Sequence, residues 1–213
     1  MFKRVSPLLW FSGTLIVIGL IALLGPEDVA LGANVRVVYL HGAWVLTAEV
    51  AFIAAALAGL TGLLARFIPA LKPREAPLHR WSAALGRSGI FFWVTYIPLS
   101  LWAMESNWNG LFLAEPRFRL ALTFAVAGLL LQIGLWFINL PWLTSLLNIV
   151  FIVVLRVVFS AASYVMHPPP SPIFNSGNWA IIGFFLLLNL LTLLAAYFMT
   201  RWFLTLDPSK NSD

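Results

Sequence analysis

The chain of 213 residues has no cysteine. Disulfides, thiolate catalysis, iron–sulfur clusters and Cys-ligated zinc are therefore excluded, and any metal must depend on His, Asp, Glu or Met. Charge is scarce as well: only 10% of residues are charged, 8 are acidic, and there are 3 histidines. No internal repeat and no separate polar domain is visible. Apolar residues fill the chain instead, at 61% hydrophobic with a mean hydropathy of +0.92, which puts it outside the range of soluble domains and marks an integral membrane protein. A formal net charge of +5 would suit a nucleic-acid binder. Here the basic residues fall in short segments between apolar runs, so they report topology, and no nucleic-acid partner is expected.

Six runs are long enough to cross a hydrocarbon core, which takes about 20 helical residues. They extend roughly from Pro7 to Leu24, Val37 to Ala65, Ala83 to Met104, Phe118 to Asn139, Pro141 to Met166 and Asn178 to Phe203. The runs are continuously apolar, without the alternation that a membrane β-barrel needs to separate lipid from lumen. The expectation is an all-α, polytopic membrane protein: one transmembrane domain over residues 1–213, built as a bundle of six transmembrane helices. The first run, preceded by Lys3 and Arg4, could be read as a secretory signal with Ala30 and Gly32 near a cleavage site. Its length and the acidic connector with Glu27 and Asp28 favour a retained helix.

Lys and Arg set the expected orientation. Lys3 and Arg4, then Arg66, Lys72, Arg74, Arg80 and Arg87, then Arg201 and Lys210 all fall on one side, read as the cytoplasm, together with both termini. Arg36, Arg117 and Arg119 fall on the other, balanced by Glu27, Asp28, Glu105 and Glu115. This predicts a multi-pass protein of the prokaryotic cell membrane.

With that orientation, His41 near the start of the second span and His167 at the end of the fifth face the same outer surface. Pro168, Pro169 and Pro170 stop the helix directly after His167. The connection from Glu105 to Arg119, ESNWNGLFLAEPRFR, emerges on that side and is amphipathic, with Trp108 and Phe112 beside Glu115, Arg117 and Arg119. Haem needs such a set: imidazoles for the iron, an apolar aromatic surface for the macrocycle, and cations for the propionates. Each group also has a plainer reading. His41 fits an interfacial histidine bonded to a neighbouring helix, His167 a solvated loop residue, Trp44 and Trp108 an interfacial aromatic belt, and Arg117 and Arg119 contacts to lipid headgroups.

Two charges fall within the spans. Glu49 is eight residues beyond His41 and Arg156 eleven before His167, so at about 1.5 Å per residue they lie roughly 12 and 16 Å from the outer surface. Matched depth and the cost of intramembrane charge predict a buried ion pair between the second and fifth helices. His79, within KPREAPLHR on the basic side, is expected to be solvated or to face lipid headgroups, where the loop's cations meet anionic lipid.

Three segments resemble the cytochrome c assembly family of haem-handling membrane proteins, the CcmC/CcsA type. RVVYLHGAW (Arg36 to Trp44) is similar to the start of that family's second helix. SLWAMESNWNGLFLAEPRFR (Ser100 to Arg119) is similar to its tryptophan-rich outer segment, and YVMHPPPSPI (Tyr164 to Ile173) to its second histidine motif. The resemblance runs over roughly residues 34 to 204. It implies that His41 and His167 are axial ligands of a non-covalent b-type haem. It also implies that Trp44, Trp108, Glu115 and Arg117 belong to the haem site, and that haem is presented at the outer face to an apocytochrome c, a periplasmic haem chaperone or another assembly component. Within the stretch from Trp108 to Glu115 that matches the core of the family's tryptophan motif only Trp108 remains, Glu115 stands where aspartate is usual, and Trp44 follows His41 closely, so the resemblance implies haem binding with weakened or redirected transfer. A carrier rather than an enzyme is expected. Two other readings stay open: a membrane anchor or scaffold subunit that has lost haem transfer, and a cytochrome b-type electron-transfer subunit.

Overall fold

The computed structural model describes residues 5–163 and 172–206. Among them are six long helices: α1 (Pro7–Leu23), α2 (Val35–Ala65), α3 (Glu75–Trp108), α4 (Pro116–Ile138), α5 (Pro141–Ser160) and α7 (Trp179–Thr205), with a single short turn, α6 (Pro172–Asn175), before the last. A 3-10 turn at Lys72–Arg74 leads into α3. The described residues form no strand beyond an isolated bridge between Asp28 and Gly32.

Helix ends follow local chemistry. Proline opens α1, α4 and α5, where its missing N–H costs nothing and its fixed φ suits the first turn. Ser6 Oγ accepts from the Leu8 N–H, Glu115 from the Phe118 N–H, and Asn178 from the Ala180 N–H. At the other ends of α3 and α4, Asn109 and Asn139 take the left-handed conformation, with φ of 55° and 50°, which asparagine tolerates better than most residues.

Four helices, α2, α4, α5 and α7, are long and apolar enough to cross a membrane. The chain is thus all-helical and suited to several membrane passes. The two other expected spans differ in kind. α1 has 17 residues, short of the roughly 20 that a crossing takes. α3 has 34 residues, but Trp93, Thr95, Tyr96, Pro98 and Ser100 dilute its apolar run. The exterior agrees with an apolar solvent: Phe137 is 85% exposed and Leu190 66%, in a surface far more apolar than a soluble domain tolerates.

α2 is the central helix, packed against α3, α5 and α7. Asn34 at its start donates to the Ser106 carbonyl near the end of α3 at 2.7 Å, while Gly62 near its end faces the His79 ring near the start of α3. The pair is therefore antiparallel. α5 likewise runs against α2, since Ser145 meets Gly59 and Arg156 meets Glu49. Close approach depends on small residues: Ala48, Ala51, Ala55, Gly59 and Gly62 are all buried along α2. Gly89 is one such requirement, because a methyl group there would lie 2.5 Å from the Phe52 ring. The core is aromatic, with Trp93 1% exposed and its indole N–H bonded to the Ala121 carbonyl at 3.1 Å.

Candidate functional site

His41 lies in the second turn of α2, half-buried, with its ring edge-on to Tyr96 of α3 at 5.5 Å. Its Nδ1 is shut off from solvent. Trp44, one turn further, donates its indole N–H to Thr95 Oγ1 at 3.1 Å and tilts against Phe92, so its polar atom is committed to the α2–α3 seam. Trp108 ends α3 and meets Phe112 edge-on at 6.0 Å. Glu115 caps α4, with its carboxylate 2.6 Å from the Phe118 nitrogen. Arg117 is half-buried in the first turn of that helix, and the exposed Arg119 reaches the Leu113 carbonyl. These residues share one end of the bundle, joined by the bond from Asn34 to Ser106. They form two groups there: His41 and Trp44 on the α2–α3 seam, and Trp108, Glu115 and Arg117 on the α3–α4 corner.

The expected partner of His41, His167, lies outside the described residues. α5 ends at Ser160 rather than continuing to Met166, with the Ala161 N–H turned back onto the Val157 carbonyl. After the undescribed stretch the chain resumes at the His41 end: Phe174 packs on Phe185 at 5.7 Å, and Phe185 is the ring that a methyl group on Gly42 would meet at 3.1 Å.

Arg156 Nη1 lies 2.9 and 3.0 Å from the two Glu49 oxygens, linking α5 to α2. The pair is not buried, however: the Arg156 side chain is 59% exposed and that of Glu49 20%. It sits on the flank of the α2–α5 seam, where Phe52 and Phe151 occupy the interior with rings 5.0 Å apart. Because α5 stops early, Arg156 is only about 6 Å from the helix end, counted at about 1.5 Å per residue.

His79 departs furthest from expectation. It is 5% exposed, not solvated, and shares a 2.7 Å hydrogen bond between Nδ1 and Ser145 Oγ. Close by, a second set of buried bonds joins α3, α4 and α5. Asn148 Nδ2 donates to the carbonyl and hydroxyl oxygens of Ser82 at 2.9 and 3.1 Å, and Gln132 Nε2 donates to Asn148 Oδ1 at 2.8 Å. Glycines make the space: methyl groups at Gly59, Gly62 and Gly86 would come within 2.9 Å or less of Ser82, His79 and Asn148. The ring lies ahead of the third apolar run. Burial pulls its pKa below the ordinary 6.5, and the Glu75 carboxylate opposes that shift. Bonded to a hydroxyl on another helix, the ring fixes the register of α3 against α5. The spacing of Ser82 with Gly86, Ser145 with Asn148, and Gly59 with Gly62 is the sequence signal for this network, since three- and four-residue steps share a helix face.

Among the described residues no group of three or more His, Asp or Glu could hold a metal ion. Compared with known proteins, the chain matches no family model, no curated protein and no solved structure.

Proposed function

We propose that this chain is a six-span membrane protein that handles haem at the end of the bundle where α2 begins. His41 and His167 would ligate the iron on the outer face of a prokaryotic cell membrane, and both chain termini would lie in the cytoplasm. The observation that carries the reading is the antiparallel pairing of α2 with α5, which brings the exit of α5 and the start of α6 to the end that holds His41. The described residues fit one half of such a site. His41 is half-buried in the second turn of α2, with its Nδ1 enclosed. Leu111, Phe112 and Leu113 are exposed apolar residues beside Trp108, and Arg117 and Arg119 supply cations for carboxylates. Glu115, committed to capping α4, has a structural role in this arrangement. When bound, haem supplies an iron centre that accepts imidazole nitrogen. The protein supplies the apolar edge and delivers its cargo to an apocytochrome, a chaperone or another cytochrome c assembly component.

A second reading, a membrane anchor subunit, draws on the outward-facing pair of Glu49 and Arg156, which a partner helix would cover. Absorption spectra of protein purified gently from haem-replete membranes separate the two. The haem reading expects a Soret band that is lost or shifted in His41→Ala and in His167→Ala. A wild type without that band favours the anchor, and a band indifferent to both substitutions overturns the ligand assignment.

A further inference from the structure

At the end opposite His41, a cavity of about 260 Å³ opens between three helices. Pro7 borders it from the start of α1, Pro77, Arg80 and Trp81 from the first turns of α3, and Arg201 and Thr205 from the last turn of α7. Two arginines on different helices, Arg80 and Arg201, therefore line one hollow. Arg201 is held from its own helix: its Nη1 donates to the Tyr197 hydroxyl at 2.9 Å and its guanidinium lies over the Tyr197 ring. Glu75 is the nearest acidic residue in sequence on α3, and Lys72 and Arg74 precede it. In the flanking sequence outside the described residues, Lys3 and Arg4 come just before Pro7, and Asp207 and Lys210 just after Thr205.

The surface next to this hollow is apolar. α1 and α7 pack together, with Trp10 stacked on Phe198 at 5.9 Å, and they turn Leu9, Trp10, Leu194 and Tyr197 outward. A basic socket at the helix ends thus continues into an apolar outer face along the same two helices. We propose that this cavity binds the phosphate headgroup of an anionic glycerophospholipid whose acyl chains lie along α1 and α7. Guanidinium forks match phosphate oxygens in charge and geometry. Trp81 sits where tryptophan favours the membrane–water boundary, and clustered cations at such a boundary attract anionic lipid. The volume is below the roughly 300–1,000 Å³ of a typical small-molecule pocket, which suits a headgroup whose remaining bulk lies outside. The proposal is independent of haem, since it concerns the other end of the bundle.

Native mass spectrometry of the full-length protein in mild detergent, titrated with phosphatidylglycerol or phosphatidylcholine of equal chain length, tests it. The wild type is expected to hold phosphatidylglycerol about tenfold more tightly. R80Q and R201Q are each expected to remove most of that preference, in line with the strength of charge-assisted bonds. R80K and R201K keep the charge and should retain part of it, while the K72Q/R74Q double variant, altered outside the cavity, should retain all of it. Equal retention of the two lipids by the wild type overturns the proposal whatever the variants do. So does an equal loss in K72Q/R74Q, which would reduce the effect to diffuse basic charge. Thermal stabilisation by inorganic phosphate equal to that by phosphatidylglycerol would assign the cavity to a soluble anion and overturn the lipid assignment.

Discussion

Toward the Ser160 end of α5, the polar link to α2 is the ion pair of Arg156 with Glu49, its guanidinium mostly exposed. Toward the Pro141 end, the seam holds Ser145, fully enclosed against Gly59 and bonded to His79. The same two helices therefore treat polar groups in opposite ways. The charges stay at the flank of the seam, with the Arg156 side chain facing outward. Neutral donors and acceptors go inside, where glycine backbones let them meet. Ionised groups lose far more on desolvation than amides or hydroxyls, and a single hydrogen bond offsets only the smaller loss.

Asn148→Ala should have the largest effect. It removes the partner of Gln132 and of both Ser82 oxygens and leaves a small void, so a loss of about 2–4 kcal/mol is expected. Unfolding in mild micelles by added dodecyl sulfate, followed by tryptophan fluorescence, measures it, and a loss below about 0.5 kcal/mol would erase the contrast between the two links. The ion pair should count for less. A double-mutant cycle with Glu49→Gln and Arg156→Met is expected to give a coupling of about 0.2–1 kcal/mol, after allowance for the exposure of Arg156. A coupling above about 3 kcal/mol would show that the pair is desolvated like the interior network, and no coupling at all would rule out direct pairing.

The smallest expected effect is a slope with pH. His79 takes up a proton at lower pH in the folded than in the unfolded chain, because burial disfavours its charged form. Its contribution to stability is therefore complete above the ordinary 6.5 and falls as pH drops from there through the lower folded value. His79→Gln keeps a hydrogen-bonding side chain beside Ser145 and should flatten that part of the slope, with His41, His167 and Glu75 unchanged. Wild type and variant with the same slope between pH 7 and pH 5 would show that the ring is hydrated after all.

Much of the fold was legible along the chain. Each of the six apolar runs became a long helix, and Pro7, Pro116 and Pro141 mark three of the starts. The run from Ala83 to Met104 grew at both ends into α3, because Glu75 and the residues after it continue a helix that hydropathy alone cuts short. The partnership of Glu49 and Arg156 was expected from their placement on the second and fifth spans, but the depth of Arg156 and its exposure were not, since α5 ends at Ser160 and depth says nothing about which way a helix is turned. Of the candidate site, the shared end of His41, Trp44, Trp108, Glu115 and Arg117 followed from alternating helix direction. The separation of these residues into a seam and a corner did not, because it depends on which neighbour each side chain meets: Thr95 for Trp44, the Phe118 N–H for Glu115.

His79 marks the boundary between the two kinds of information. Its sequence neighbours, Lys72, Arg74, Glu75 and Arg80, all point to a solvated loop, whereas its spatial neighbours are Gly62 and Ser145, the latter 66 residues away. Hydropathy sums over consecutive residues, so the membrane class, the helices and their approximate limits come from sequence alone. Burial of a single polar side chain depends on surfaces contributed by distant helices. The inward turn of His79, Asn148 and Gln132, and the outward turn of Arg156, were settled only when those helices packed.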